Sequence, residues 1–496
     1  MGGALNISSE IYGKMLKTNQ IFSANSKTST SAFTSVSKTS KRSGVTIKKI
    51  LPYLIHRKKD KVKEMETQFS DSQSPAPSPP RSRPFLNEQT LSISNNDPES
   101  FHCVMGPVLV MAQLFGILPV SGILMPSPLQ IEFVKFSVRT IYSVFINGMV
   151  LFMAILSIIH MIKTLNSTTF EVQGGIATAT AGAIFYANCV MGLIIFFWLS
   201  SRWVILQRDW RAMELFIDSN KMKRPKLRWK LHLIAVSILF VALIEHILSI
   251  LVHTKKYDWS GKSDNATFLN FLEIYCMSSH AFILEILKYN LALGIFIFIV
   301  SKLATFTWNF TDVFIAMVAT GLAERYKTLN KYVTSSVLKH RPIDWSELRE
   351  DYATLSFMVK KVDNDISPII LLSFANNLYF ICLQLLNGLS KSDDGIISDI
   401  YFFESFLFLI GRTVIVTLLT ARIYDQSKVI LPILFSCSAS TYNKETERLL
   451  HLLSTNDVTL TGMRFFSITR NFLLAVAGAI VTYEVVLLQF NVAMNK

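Results

Sequence analysis

The sequence predicts an all-α, polytopic membrane protein with seven transmembrane helices and a re-entrant N-terminal segment. Its N-terminus is expected inside and its C-terminus outside. Three observations predict this. Half of the 496 residues are hydrophobic and only 17% are charged, where soluble domains carry about 25% charged residues, and the mean hydropathy is +0.37. Several apolar runs exceed the roughly 20 residues that cover a bilayer. Lysine and arginine concentrate in alternate loops, the pattern of cytoplasmic loops. The formal charge of +14 therefore points to membrane orientation, and no nucleic-acid partner is expected because no basic patch comes with a soluble fold.

Residues 1–100 are rich in Ser, Thr and Lys, with PAPSPPRSRP at 75–84. Such a stretch cannot bury enough apolar surface to fold alone and is expected to be a disordered cytosolic tail. Its basic cluster, Lys41 to Lys63, could touch anionic lipid. The start lacks the apolar core of a signal peptide. The first apolar run, 103–124, contains Pro107 and Pro119, which remove donors and break helices; it is expected to dip into the membrane without crossing.

Seven firmer segments follow, at 138–162, 176–200, 231–253, 282–306, 365–389, 399–421 and 471–491. With the tail inside, the inner loops 202–230, 324–361 and 422–470 hold 23 Lys and Arg, against 6 in the outer pieces, as the positive-inside rule requires. The sequons at Asn166 and Asn265 then fall outside, where glycosylation is possible. Segment 4 lacks proline from Ala281 to Tyr332 and is expected to continue as helix into the cytosol. The amphipathic stretches 345–364 and 443–460 would stand beside it. The expected organisation is a tail (1–100), the re-entrant segment with segments 1–4 on the ligand side (101–306), cytosolic anchor helices (307–364), segments 5–6 (365–421), a further anchor segment (422–470) and the last helix (471–496). The five cysteines, with no CxxC or metal spacing, read as free thiols. No metal or cofactor is expected.

Ionisable and amide groups inside membrane segments are costly and therefore paired, wetted or functional. In the outer half these are His160 on segment 1, Glu245 and His246 on segment 3, and Glu285, Lys288, Tyr289 and Asn290 on segment 4. Segment 5 adds Asn376, Asn377, Tyr379 and Gln384, and segment 6 adds Tyr401 and Glu404. A cavity lined by Glu245, His246, Tyr289, Asn376, Asn377, Tyr379, Gln384, Tyr401 and Glu404 would suit a small polar ligand such as a mono- or disaccharide. Carboxylates and amides pair with adjacent hydroxyls, and aromatic planes take the C–H faces of the ring. The same groups could instead bond to one another and hold helices together. Arg412 is expected to pair or to snorkel towards the inner face.

The last segment ends in TYEVVLLQF, Thr482 to Phe490, which sets Thr482, Val486, Gln489 and Phe490 on one helical side. A single such helix cannot enclose water, so a pore role requires several copies about an axis. This stretch resembles the TYhhhhhQF signature of insect gustatory receptors, where h is hydrophobic. Glu484, at an h position, together with NNLYF (376–380), IGRT (410–413) and SITRNFLL before the last helix, resembles the sugar-receptor branch. The likeness runs from about residue 100 to the end. It implies the insect chemoreceptor channel fold and a homotetrameric, sugar-gated, non-selective cation channel, with Gln489 and Phe490 at the pore constriction. It further implies the plasma membrane of taste-neuron dendrites and co-assembly with other gustatory receptors. Permeant cations and membrane lipid are the other implied partners. One alternative keeps the channel fold but changes the ligand to another tastant; a secondary transporter is the competing class, but the halves show no inverted repeat. No HExxH, GxSxG or paired intramembrane Asp supports an enzyme.

Overall fold

The computed structural model describes residues 97–494 except 168–174, 219–223, 260–266, 390–394 and 439–441. The described residues belong to one compact unit, almost entirely helical. Helix α1 (Phe101–Leu114) leads through an irregular stretch to α2 (Val138–Ser167). Helices α3 (Gly175–Asp218) and α4 (Leu227–His253) follow. Then come α5 (Phe268–Ser279), the single turn α6 (Ala281–Leu284) and α7 (Leu291–Leu338). Next are α8 (Trp345–Leu389), α9 (Ile396–Lys428), α10 (Leu431–Phe435) and α11 (Lys444–Thr455). A two-residue antiparallel pair, β1 (Thr461–Gly462) and β2 (Phe466–Ser467), precedes α12 (Arg470–Met494).

Six helices, α2, α3, α4, α7, α8 and α9, are long and apolar enough to cross a membrane. They coincide with the first six expected segments, and α12, of 25 residues, with the seventh. Helix α1 has 14 residues, about 21 Å, short of the roughly 30 Å hydrocarbon layer. Ser100 caps its start through the Cys103 N–H.

Helix α7 is the axis of the fold. Every residue from Asn309 to Tyr326 is buried, because α3, α4, α8 and α9 enclose it and α1 lies across it. The charged groups of this enclosed stretch, Asp312, Glu324 and Arg325, are accordingly all paired. Phe101 of α1 stacks on Trp210 of α3 at 3.8 Å, and Gly321 allows both rings close to the α7 backbone, since a Cβ there would meet them at 2.9–3.0 Å. Below these rings, Arg325 of α7 bonds Glu214 (2.9 Å) and Asp218 (2.7 Å) of α3. Glu214 also accepts the backbone N–H of Phe101, which fixes α1. Glu324 joins three helices, taking Lys230 of α4 (2.5 Å) and Arg422 of α9 (2.6 Å). On α11, Glu445 accepts from Arg349 of α8 at 2.6 Å, and this bond holds its carboxyl below the usual range.

One expectation is corrected, and two features are added to it. Segment 4 is not continuous from Ala281: residues 285–290 leave the helix, and the Asn290 carboxamide caps a fresh start by accepting from the Leu293 N–H at 2.8 Å. Asn caps strongly, and a helical pattern without Pro hides such a break. The outer loop contains a helix of its own, α5, started by the Thr267 hydroxyl. Stretches 345–364 and 365–389 form one 45-residue helix that passes through Pro368; flanking packing of α8 against α3 and α7 outweighs the missing N–H.

At the foot of α12, Phe466 and Phe472 stack at 4.6 Å, and both meet Phe374 of α8 edge-on. Arg470 bonds Asp425 of α9 at 2.8 Å. The last helix is thus tied at its base to α8 and α9.

Candidate ligand site

Two polar assemblies lie among the helices. The first is between α4, α8 and α9. Ser405 of α9 accepts from Gln384 Nε2 of α8 (2.9 Å) and donates to Glu245 Oε1 of α4 at 3.4 Å. Tyr401, one turn earlier on α9, bonds Ser249 of α4 and lies within electrostatic reach of Glu245 and Glu404. Around this chain three buried atoms have no hydrogen-bond partner among the described residues: Glu404 Oε2, Gln384 Oε1 and His246 Nε2. Buried polar atoms without partners are rare and mark unmet hydrogen-bonding capacity. Here they lie on three helices: Gln384 on α8 bonds Ser405 through its other amide atom, while Glu404 and His246 are the sequence neighbours of Ser405 and Glu245.

The second assembly is more densely bonded, with Arg412 Nε its one buried atom that makes an ion pair but no hydrogen bond among the described residues. Arg412 of α9 lies with Nε 2.8 Å from Asp312 Oδ2 of α7. It donates to the carboxamide oxygens of Asn309 and, at 3.0 Å, of Asn377. Asn377 of α8 gives its N–H to Asp312 (3.0 Å) and accepts from Trp308 Nε1 (3.1 Å). Ser373 donates to the other Asp312 oxygen. The guanidinium also faces the Trp308 ring at 4.8 Å, a cation–π contact. Arg412 therefore pairs and does not snorkel: it is 3% exposed. The sequon Asn309 is buried and bonded at both amide atoms, so it is closed to glycosylation. Beside this network a cavity of about 20 Å³ lies between α3, α7 and α8, with Asn188, Thr307, Ser373 and Asn376 on its walls. It has room for about one water.

The sequence-selected residues divide between these places. Glu245, Gln384, Tyr401 and Glu404 come together in the first assembly, and His246 follows Glu245 on α4 with its Nε2 unpartnered among the described residues. Asn377 belongs to the second assembly, and Asn376 accepts from Asn188 of α3 at 2.6 Å. Tyr379 shares a 3.0 Å hydroxyl bond with Thr180 of α3. Tyr289 stands apart, in the break before α7, packed over Gly294. Glu285 of the same break bonds His160 of α2 at 3.0 Å. On α12, Thr482, Val486 and Gln489 are exposed, and Thr482 bonds back to the Gly478 carbonyl. The Phe490 and Glu484 side chains and Asn265 lie outside the described residues; Asn166 sits in the last turn of α2.

The trehalose receptor sequence profile matches residues 66–496. The chain belongs to the trehalose receptor family. Two Drosophila melanogaster relatives agree with this membership. "Gustatory receptor for sugar taste 64a" is 31% identical over 402 residues, covering 79% of this chain and 84% of the relative. "Gustatory receptor 5a for trehalose" is 31% identical over 395 residues, covering 79% and 85%. In fold, this trehalose receptor family chain is similar to the insect olfactory receptor OR5 from Machilis hrabei. The TM-score is 0.55 at 14% identity, over 78% of this chain and 97% of that one. The complex of OR5 with eugenol superposes with a TM-score of 0.53. The expected insect chemoreceptor fold and receptor family are therefore established, and relatives of this kind are receptors and not enzymes.

Sequence reading alone misses several members of both assemblies. Ser405 is too common a residue type to stand out. Asp312 lies beyond residue 306, in the stretch that hydropathy assigns to the cytosol, where a carboxylate draws no attention. Lys302, an intramembrane charge within segment 4, bonds the Tyr275 hydroxyl of α5 at 3.0 Å.

Proposed function

We propose that this chain is a sugar-gated, non-selective cation channel of taste neurons, assembled as a homotetramer about a pore lined by α12. The supporting observation is the interhelical chain Gln384–Ser405–Glu245, in which Gln384 Oε1 stays buried and unpartnered, as do Glu404 Oε2 and His246 Nε2 on the neighbouring residues. A polyhydroxyl ligand supplies several donors within one small volume and is the natural complement of such a set. The naming of two relatives for sugar and trehalose agrees with it. To gate, sugar must bind better to an arrangement in which α4, α8 and α9 stand wider apart than to the closed one. The ties of α8 and α9 to the foot of α12 give that widening a route to the pore. In this reading α12 is the seventh crossing, the N-terminus is inside and the C-terminus outside in the plasma membrane. Asn166 and Asn265 are then available for glycosylation, and co-assembly with other gustatory receptors uses the same axis.

The test is whole-cell current from cells expressing the chain alone, under a panel of mono- and disaccharides. An immediate conductance is expected; slow uptake without current would make the chain a carrier. Glu245→Ala is expected to raise the half-maximal sugar concentration by about tenfold, the loss of one hydrogen bond to a charged group. An unchanged dose response at normal surface level removes Glu245 from the site. Gln489→Ala is expected to change single-channel conductance while leaving the dose response and surface level unaltered.

A further inference from the structure

Between α1 and α2 the chain doubles back on itself. Phe115, at the end of α1, stacks on Phe306 of α7 at 3.6 Å. The return stretch then runs beside α1 until the His102 ring meets the Met125 carbonyl at 2.8 Å, and a bridge from Ser121 to Glu132 closes it. Two arginines of the neighbouring helices fasten this stretch. Arg139 of α2 donates to the Val120 carbonyl at 3.0 Å, and Arg208 of α3 donates to the Leu129 and Ile131 carbonyls, each at 3.4 Å. Both keep further N–H groups, since a guanidinium carries five. Neither they nor the exposed Lys135 has a carboxylate within ion-pair distance among the described residues. The stretch holds a single acid, Glu132.

Beside these cations the surface is apolar. Leu124, Met125, Val134, Phe136 and Val138 are exposed, Phe136 at 91% and Val138 at 83%. An exposed apolar patch marks a contact with protein or with membrane, and here continuity decides between them. On α2 the exposed apolar surface runs on from Val138 to Ile141 and Phe145, and on α3 Ile194, Trp198 and Ile205 are exposed before Arg208. Both helices are long and apolar enough to cross a membrane, so these sides meet acyl chains. The stretch 124–139 and Arg208 stand where they give way to charge. We propose that this surface binds anionic phospholipid of the leaflet at the start of α2, the cytoplasmic one in the orientation given above. Phe136 and its apolar neighbours lie among acyl chains, and Lys135, Arg139 and Arg208 take the anionic oxygens of the headgroup. Arginine suits phosphate because its planar fork donates in pairs. Three cations against one Glu132 favour an anionic over a zwitterionic headgroup. The surface lies apart from the polar assembly between α4, α8 and α9 and does not depend on a sugar being the ligand.

The test replaces Phe136 with the photoreactive p-benzoylphenylalanine in the full chain. The protein is reconstituted in vesicles of equal phosphatidylcholine and phosphatidylserine, and its adducts are identified by mass spectrometry. Lipid adducts are expected, with phosphatidylserine over phosphatidylcholine by at least about fivefold, the contribution of one cation near a lipid surface. Lys135 makes no hydrogen bond or ion pair among the described residues, so Lys135→Glu should leave the fold intact and bring the ratio close to parity. Lys135→Arg should keep the parent ratio. Arg139→Gln with Arg208→Gln should lower it as well; if that pair lowers the melting midpoint, Lys135→Glu decides alone. Adducts at the bulk ratio overturn the proposal and leave a neutral acyl contact only. A cross-link to a second copy of the chain, or none to lipid, overturns it too. So does an enrichment that survives Lys135→Glu, which would assign the preference to the basic cluster from Lys41 to Lys63.

Discussion

Replacing Arg412 with methionine is expected to remove most of the protein from the cell surface. The guanidinium holds Asp312, Asn309 and Asn377 together, and so α7, α8 and α9. Its loss leaves the Asp312 carboxylate buried with only the Asn377 amide and the Ser373 hydroxyl. Breaking one side of a buried pair costs about 3–5 kcal/mol, against a total stability of roughly 5–15 kcal/mol. Removing both charges is a smaller change than removing one, because no ion is then stranded. Arg412→Met with Asp312→Asn should therefore recover part of the surface level. Surface biotinylation and the melting midpoint of the detergent-purified protein measure both. A single variant as abundant and as heat-resistant as the parent would show that the pair contributes little to the fold.

Arg325→Met is the second large effect. Arg325 is 2% exposed and meets both Glu214 and Asp218. Without it these carboxylates face one another in the interior, and Glu214 also loses definition as the acceptor of the Phe101 N–H. A loss of about 3–5 kcal/mol is expected, tempered by Arg211, which bonds Glu214 at 3.1 Å, and by Arg224, 3.4 Å from Asp218. Arg325→Lys should fall between, since one ammonium cannot span two carboxylates as a planar fork does. The order of melting midpoints, parent above Lys above Met, is the readout. Equal midpoints for Lys and Met would mean that geometry, and not charge, sets the contribution of this site.

Much of the fold was legible in the sequence. Apolar runs of membrane length and the Lys and Arg bias of the loops locate the long helices, because both are local properties of composition. Most of the polar assembly between α4, α8 and α9 was legible as well. Glu245, His246, Gln384, Tyr401 and Glu404 stand out as polar side chains in apolar helices. Their separation from Asn376, Asn377 and Tyr379 was not legible. Those three look the same in one dimension, yet each bonds a partner on another helix: Asn188, Asp312 and Thr180.

By itself the sequence determined an all-helical membrane chain, a receptor family and a short set of polar residues that a bilayer makes expensive. Only the tertiary structure decided which of these residues satisfy one another and which are left with capacity to spare. It also decided that α7 begins at Leu291 and that α8 runs through Pro368. The reason is physical. Burial in lipid is set by the composition of each segment, whereas hydrogen-bond partners depend on the rotation and register of one helix against the next. No single segment encodes that relation.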